Sequence, residues 1–134
     1  MFSTKGRYAL RVMLDLAEHD GEGWIPLKDI AERHGISKKY LEIIVKELVS
    51  GNLVTGVSGK GGGYRLVKAP GDYTVGEILE TTEGPLSPVA CLSLDAAPCP
   101  RAAECPTLPL WAEYDKLTHD FFYGKRLVDL MKRD

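Results

Sequence analysis

Three cysteines lie close together in this 134-residue chain and are its most reactive side chains. Cys91, Cys99 and Cys105 are separated by seven and five residues, within a stretch that is rich in proline. Because no CxxC pair is present, a structural zinc site is disfavoured. Thiolates are soft donors that bind iron–sulfur clusters, and one loop can wrap three of them around a compact inorganic core. The spacing leaves three interpretations open: a cluster, a thiol redox switch or another metal site, and inert cysteines.

A second set of side chains has the chemistry to bind nucleic acid. Lys38 and Lys39 can contact phosphate or guanine, and Ser37 precedes them. Glu42 is informative, because phosphate repels a carboxylate whereas cytosine N4 donates a hydrogen bond to one. The other candidates for DNA contact are Thr4, Lys5, Tyr40, Lys46, Ser58 and Lys60. The alternative is a solvated helix face on which Glu42 only supports Lys46, four residues later.

The apolar periodicity predicts the elements that present these side chains. A first helix is expected from its cap at Ser3 to about Asp20, with apolar residues every three or four positions. Two short helices follow, one from Pro26 to about His34 and one capped by Ser37, joined by the turn HGIS. Such a pair is typical of a helix-turn-helix, whose second helix enters the major groove of DNA.

A β-hairpin is predicted directly after the third helix. Residues 53–57 and 64–67 are rich in apolar and β-branched side chains, and the run SGKGGG lies between them. A hairpin in this position is the wing of a winged helix-turn-helix. Its glycines are expected to give Lys60 the conformational freedom to reach phosphates or a minor groove.

Two further helices are predicted on either side of the cysteines. Thr74 and Glu77 form a capping-box pattern for a helix that runs to about Glu83. A longer helix begins near Pro106 or Thr107, and apolar residues recur along it at intervals of four, three and four. This spacing predicts a seam between paired helices. The predicted dimer interface comprises Leu110, Trp111, Tyr114, Leu117 and Phe121.

These elements predict a mainly α fold with a small β-hairpin. The winged helix-turn-helix domain is expected at 1–83, a cysteine-bearing sensor loop at 84–106, and the dimerisation helix with a C-terminal helix at 107–134. Charge is polarised along the chain, with the boundary near residue 70. Residues 1–70 carry 11 Lys and Arg against 8 Asp and Glu, a net +3, whereas residues 71–134 carry 6 against 11, a net −5. The cations are therefore concentrated in the segment that is expected to bind DNA.

Several classes of protein are excluded by composition. No apolar run approaches the length of about 18 residues that a membrane span needs, and the opening MFSTKGRYAL lacks the apolar core of a signal peptide. We therefore expect a cytoplasmic protein with no membrane partner. A cysteine nucleophile activated by His119 has no supporting motif, so neither an enzyme nor a small-molecule substrate is expected.

Five parts of the sequence carry a resemblance to a known family. They are STKGRYAL, ISKKYLEIIVKELVSGNLV, GKGGGYRL, GEILETTEGP and the cysteine-rich loop, which together span most of residues 1–123. On these motifs the chain resembles the IscR-like iron–sulfur cluster regulators and their nitric-oxide-sensing and cysteine-metabolism relatives. The resemblance implies a homodimer that binds double-stranded DNA at a palindromic operator. It also implies an iron–sulfur cluster, 2Fe–2S ahead of 4Fe–4S, held by Cys91, Cys99, Cys105 and a fourth, non-cysteine ligand.

The sequence departs from the family pattern at three points. The first cysteine interval is two residues longer than usual, and Leu108, which cannot ligate a metal, stands where IscR offers a histidine. The candidates for a fourth ligand are Asp95, Glu104, His119, a residue of the partner's first helix and a small thiol. Ser58 stands where an arginine commonly precedes the first wing glycine, which leaves Lys60 as the substitute.

Taken together, the residues and the resemblance predict a bacterial transcription regulator that acts as a repressor and senses cluster or redox status through its cysteines. One alternative is a thiol-based or metabolite-responsive winged-helix regulator without a cluster. Another is a winged-helix module that binds protein, which operator footprinting would distinguish from a DNA-binding protein.

Overall fold

A computed structural model of the chain describes residues 2–86 and 106–131. In the first range α1 spans Thr4–Glu18, α2 spans Leu27–His34 and α3 spans Lys38–Ser50. The strands are β1, Val54–Val57, and β2, Gly63–Leu66, and a 3-10 turn at Pro70–Asp72 precedes α4, Val75–Glu83. In the second range α5 spans Leu108–Tyr123 and α6 spans Leu127–Leu130. The predicted mainly helical fold with one hairpin is confirmed.

The first three helices enclose one apolar core. Ser3 caps α1 by accepting a 3.3 Å hydrogen bond from the backbone N of Gly6, and Ser37 caps α3 through the backbone N of Tyr40 at 3.2 Å. Gly35 ends α2 in the left-handed conformation, with φ +63°. The residues of α3 that are buried in the core are Leu41, Ile44, Val45 and Leu48. The opposite face of α3 is therefore left to solvent, as its periodicity predicts.

A buried carboxylate fixes α2 against α1. Asp15 accepts hydrogen bonds of 2.7 Å from Nε and Nη2 of Arg33, and Nε2 of His34 lies 3.0 Å from its Oδ2. Burial would raise the pKa of Asp15, but the hydrogen bonds and charge of Arg33, with those of His34 and His19, hold this pKa below its usual value. The C-terminal end of α2 is thus anchored by charge as well as by apolar contact.

The wing is an antiparallel hairpin that also pairs with the segment before α2. Val57 lies opposite Gly63, and Tyr64 exchanges two backbone hydrogen bonds of 2.9 Å with Ile25. A Cβ at Gly63 would lie 2.4 Å from the carbonyl oxygen of Ile25, and Gly61 has φ +81°. These glycines are therefore required by the close approach and the left-handed turn. The freedom that they were expected to give to Lys60 is not their only role.

Tyr73 connects both ends of the wing to the helices. Its side chain is fully buried, and its hydroxyl donates a hydrogen bond of 2.7 Å to the carbonyl oxygen of Leu53. The same hydroxyl accepts hydrogen bonds of 2.9 Å from the backbone N of Val67 and of Lys68. Because a buried phenol without partners would be costly, these three bonds make the burial of Tyr73 favourable.

The two C-terminal helices differ in how they pack. Leu127 of α6 is fully buried in the core of the winged domain, and its backbone N donates to the carbonyl oxygen of Tyr73 at 3.0 Å. α5 packs on α4 and contributes no buried residue. In the two described ranges no helix is long and apolar enough to cross a membrane. The division at residues 83 and 107 stays a prediction, although α6 returns to the N-terminal core.

Candidate nucleic-acid interface

α3 presents polar side chains on its solvent face. Lys38, Lys39, Glu42 and Lys46 are all exposed, and among the described residues none of them has a hydrogen-bond or ion-pair partner. Glu42 and Lys46 are correctly spaced for an ion pair within the helix, yet they do not form one. All four side chains are therefore available to an external ligand.

A groove of about 790 Å³ separates this face from the wing. The charged residues that line it are Lys38, Glu42 and Lys46 of α3 and Lys28 of α2. The wing side is lined by uncharged residues, namely Gly56, Val57, Ser58, Gly59, Gly62, Gly63 and Tyr64. Three lysines around one carboxylate leave the groove positively charged, which suits a phosphate backbone. All of this positive charge comes from the helices.

Ser58 and Lys60 lie in the turn between the two strands. Both are exposed, and Ser58 lines the groove whereas Lys60 does not. Lys60 lies between Gly59 and Gly61, which have φ values of +95° and +81°. The turn therefore holds Lys60 at the end of the hairpin and away from the groove.

The remaining predicted DNA contacts have different surroundings. Nζ of Lys5 lies 2.9 Å from Oε1 of Glu47, so this lysine already has a partner on α3. The ring of Tyr40 is half-buried and packs edge-on against Tyr8, with centroids 5.9 Å apart. Thr4 is exposed at the first position of α1. Contacts of these three residues with DNA remain predictions, and a contact by Lys5 would compete with its ion pair.

Lys28 is a groove residue that the periodicity does not single out. It lies in the first turn of α2 and is exposed, one position after the buried Leu27. The first helix of a helix-turn-helix crosses the DNA backbone, so a lysine on its outer side is meaningful once the motif is recognised. Lys28 could therefore have been identified from the sequence by its position in the first helix of the predicted helix-turn-helix.

The predicted dimer residues form an exposed apolar stripe along α5. Leu117 is 64% exposed and Leu110 is 59% exposed, and Trp111, Tyr114 and Phe121 also face solvent in the single chain. A contiguous apolar surface of this kind on a helix marks an interaction site. The structure thus leaves the predicted seam uncovered.

The sequence matches the Rrf2 family, described as iron-dependent transcriptional regulators, over residues 2–133. The chain belongs to the Rrf2 family. This membership confirms the family resemblance and the prediction that the protein is a transcription regulator and not an enzyme.

Individual Rrf2 relatives support the same fold. An HTH-type transcriptional regulator IscR from Aliivibrio salmonicida is 38% identical over 129 residues, which cover 96% of this chain and 76% of the relative. The structure of CymR, the global cysteine regulator of B. subtilis, is 37% identical, covers 97% of this chain and 95% of its own, and gives a TM-score of 0.78. IscR from T. potens is 34% identical, with coverages of 100% and 93% and a TM-score of 0.74.

The cysteines of this Rrf2 protein, Cys91, Cys99 and Cys105, lie outside the described residues, and their roles as cofactor and metal ligands stay predictions. Within residues 2–86 and 106–131, no three His, Cys, Asp or Glu side chains are grouped to hold a metal ion. His119, a candidate fourth ligand, is engaged on both sides. Its Nε2 lies 3.3 Å from Oε1 of Glu80, and its Nδ1 lies 3.0 Å from the backbone oxygen of Asp115.

The contact between α4 and α5 perturbs two titratable groups. The hydrogen bond to the Asp115 backbone raises the pKa of His119, and the charges of Asp115 and Glu80 add to this effect, although partial burial opposes it. Burial, with the neighbouring Glu80, raises the pKa of Tyr123 to about 12. The Tyr123 ring stacks on His119 and also lies where a Cβ on Gly76 would clash, which places α5 close to α4.

Three glutamates of α4 contact three neighbouring parts of the chain. The contacts are Glu77 Oε1 with Lys68 Nζ at 3.3 Å, Glu80 Oε1 with His119 Nε2 at 3.3 Å, and Glu83 Oε1 with the backbone N of Ser3 at 2.8 Å. They reach the end of the wing, α5 and the start of α1 respectively. In this Rrf2 protein the carboxylates of α4 therefore bind three separate elements.

Proposed function

We propose that this protein binds a palindromic operator as a homodimer in the cytoplasm and represses transcription from it, using the groove between α3 and the wing. The observation that carries the proposal is the groove itself, in which lysines without internal partners surround Glu42. Lysines that neutralise phosphates release condensed counterions, which supplies affinity for any duplex. Ser37, Lys38 and Lys39 lie at the N-terminal end of α3, the part of a recognition helix that contacts base edges.

Glu42 gives the groove its sequence preference in this proposal. An exposed carboxylate among lysines weakens binding to phosphate, so it opposes binding to duplexes that offer it no donor. A cytosine N4 amino group on the floor of the major groove would supply that donor. Because Glu42 is not paired with Lys46, its carboxylate is free to accept this hydrogen bond.

The apolar stripe of α5 supports the homodimer. Pairing of two α5 helices would bury the residues that the single chain leaves exposed, and aromatic side chains are common at the centre of such interfaces. The two copies of α3 would then lie about 34 Å apart, which is the spacing of successive major grooves on one side of the duplex. A palindromic operator is the natural partner of this symmetry.

The cysteines Cys91, Cys99 and Cys105 are assigned the sensing role. Three thiolates on one loop match the soft-donor requirement of an iron–sulfur cluster, and the resemblance to IscR-like regulators favours the 2Fe–2S type. When bound, such a cluster supplies a group that responds to iron and to oxidants. The described residues next to the loop are well placed to respond, since Glu83 holds the start of α1 and α5 carries the dimer stripe.

A thiol-based regulator without a cluster is the second candidate. Leu108 cannot ligate, and both nitrogens of His119 already have partners. The similarity to CymR, named as a global cysteine regulator, supports a response to thiol metabolites in place of a cluster. In this version the cysteine thiolates themselves change state.

DNA binding is tested by selecting duplexes from a random pool with the purified protein and footprinting the result. We expect two protected half-sites one helical turn apart. Lys38→Glu with Lys39→Glu should weaken binding and reduce its salt dependence, whereas Lys116→Glu on α5 should not. Failure to enrich any duplex at low salt would reject the proposal and favour the protein-binding module.

The two sensing candidates are separated by anaerobic purification followed by an absorption spectrum and assays for iron and sulfide. A cluster should give a coloured wild type and a colourless Cys99→Ala variant. A colourless, iron-free wild type would reject the cluster and leave DNA binding intact. Thiol-dependent changes in operator affinity, lost in the same variant, would then support the second candidate.

A further inference from the structure

We infer that Lys28, at the start of α2, contacts a DNA phosphate. The inference rests on the proposed function and deepens it by adding a residue of α2 to the binding surface. The contact comes from a helix, because the wing side of the groove has no charged residue.

The lysines of the described ranges fall into two groups, those with a carboxylate or aromatic partner and those without one. Away from the groove, Lys5, Lys68 and Lys116 lie 2.9, 3.3 and 3.1 Å from carboxylates, and Lys125 lies over the ring of Phe121. The lysines of the described ranges that have neither kind of partner are Lys28, Lys38, Lys39, Lys46 and Lys60. Four of these belong to the DNA surface predicted from sequence, whose remaining lysine, Lys5, is the one that has a carboxylate partner. Lys28 shares with them both the exposure and the absence of a partner.

The absence of a partner is informative because a suitable carboxylate is close in sequence. Glu32 lies four residues after Lys28 on α2, the spacing at which an ion pair commonly forms, yet the two are not paired. Lys28 instead lines the same groove as Lys38 and Lys46. Its ammonium group therefore adds to the field inside the groove.

The backbone around Lys28 is held in place from both sides. Ile25, three residues earlier, is hydrogen-bonded to Tyr64 of the wing, and Arg33, five residues later, is bound to the buried Asp15. The position of Lys28 relative to α3 and the wing is thus set before DNA binds. A lysine on a fixed backbone loses less entropy on contact with a phosphate than one on a mobile loop, because only its side chain has to be ordered.

The test compares Lys28→Gln with Lys28→Arg and with Lys116→Gln, a matched loss of charge on α5. Binding is measured by fluorescence anisotropy over a salt series, with a duplex selected by the wild type and a duplex of unrelated sequence. Lys28→Gln should weaken both complexes several-fold and lower the salt slope by about 0.9 for each phosphate contact that is lost. Lys28→Arg and Lys116→Gln should match the wild type, and thermal unfolding should show that all variants are folded.

The outcomes distinguish this inference from the proposed function. If wild type binds the selected duplex and Lys28→Gln has the same affinity and salt slope, the contact is rejected while operator binding stands. A loss restricted to the selected duplex would show a base contact and overturn the assignment to phosphate. A wild type that binds neither duplex would overturn both.

Discussion

The winged domain and α5 lie side by side but bury their apolar residues in different ways. The winged domain encloses a continuous core that runs from Ala9 in α1 to Ile78 in α4 and includes Leu127 of α6. α5 has no buried residue, although its sequence is richer in leucine and aromatic side chains than those of the core helices α1 and α3. Within the described residues, the winged domain buries its own apolar surface, whereas the apolar stripe of α5 stays exposed.

This difference shows that apolar periodicity alone does not say where a helix face is buried. α3 and α5 both have a stripe of apolar residues, but that of α3 faces α1 and α2 while that of α5 faces solvent in the single chain. In the proposed homodimer, the free energy from burying the α5 stripe becomes available on association. The stability of the fold and the affinity of that proposed dimer should therefore change separately.

The largest effect is expected from a cavity in the winged domain. Leu41→Ala removes a fully buried side chain of α3 and should lower the free energy of unfolding by about 2 to 5 kcal/mol. Denaturant unfolding at one fixed protein concentration measures this loss. Leu130→Ala, at a residue that is 42% exposed, is the control and should cost far less. Equal losses would mean that the core is not where the structure places it.

The second-largest effect is expected on the association of two chains and not on the folding of each chain. Leu117→Glu puts a charge in the middle of the α5 stripe and should weaken the dimer by about 3 kcal/mol, in the range of interface hot spots. Sedimentation would show monomers, while circular dichroism would show an unchanged helical content. Glu113→Gln on the same helix is the control. A dimer that tolerates Leu117→Glu would place the interface elsewhere.

A smaller loss is expected when the anchor of α2 is cut. Arg33→Ala leaves the buried Asp15 without its main partner and should cost about 2 kcal/mol, less than for a fully buried pair because Arg33 is partly exposed. Since the pKa of Asp15 is lowered in the folded protein, its contribution is present above the ordinary value of 3.8 and is lost as the pH falls through the folded value. The variant should therefore unfold at a higher pH during acid titration. Arg7→Ala should leave the acid transition unchanged.

The smallest effect is expected at the contact between α4 of the winged domain and α5. The pKa of His119 is raised, so its attraction to Glu80 is fully present below the ordinary histidine value of 6.5 and is lost as the pH rises through the folded value. Because both side chains are about one-third exposed, the contribution should be only about 0.5 kcal/mol. His119→Gln should lower stability at acidic but not at alkaline pH, and Glu80→Gln should reproduce only part of this pattern, because the contacts of His119 with Asp115 remain. A loss that does not vary with pH would contradict it.

Local signals in the sequence were sufficient to predict most of the fold. Ser3, Ser37 and Thr74 were recognised as N-caps, and each accepts the expected backbone hydrogen bond. Capping and periodicity depend on residues a few positions apart, which the sequence shows directly. The function was predicted from the family resemblance, because apolar periodicity does not distinguish a helix that binds DNA from one that binds protein.

The features that were missed depend on packing between distant residues. Asp15 and Arg33 are 18 positions apart. Because Asp and Arg usually lie on the surface, the sequence does not show that these two form a pair with a buried carboxylate. Lys28 enters the groove only because α2 lies beside α3 and faces the wing. The role of Gly63 was only partly recognised, since the sequence does not show that Ile25 passes close to it. These contacts are seen only when the tertiary structure brings residues that are distant in sequence together.

The three carboxylate contacts of α4 depend on how this helix is oriented. Because three residues fall short of one helical turn, Glu77, Glu80 and Glu83 are displaced in angle from one another and reach different neighbours. A rotation of α4 about its own axis would therefore strain all three contacts together. The end of the wing, α5 and the start of α1 are thus each tied to the orientation of one nine-residue helix.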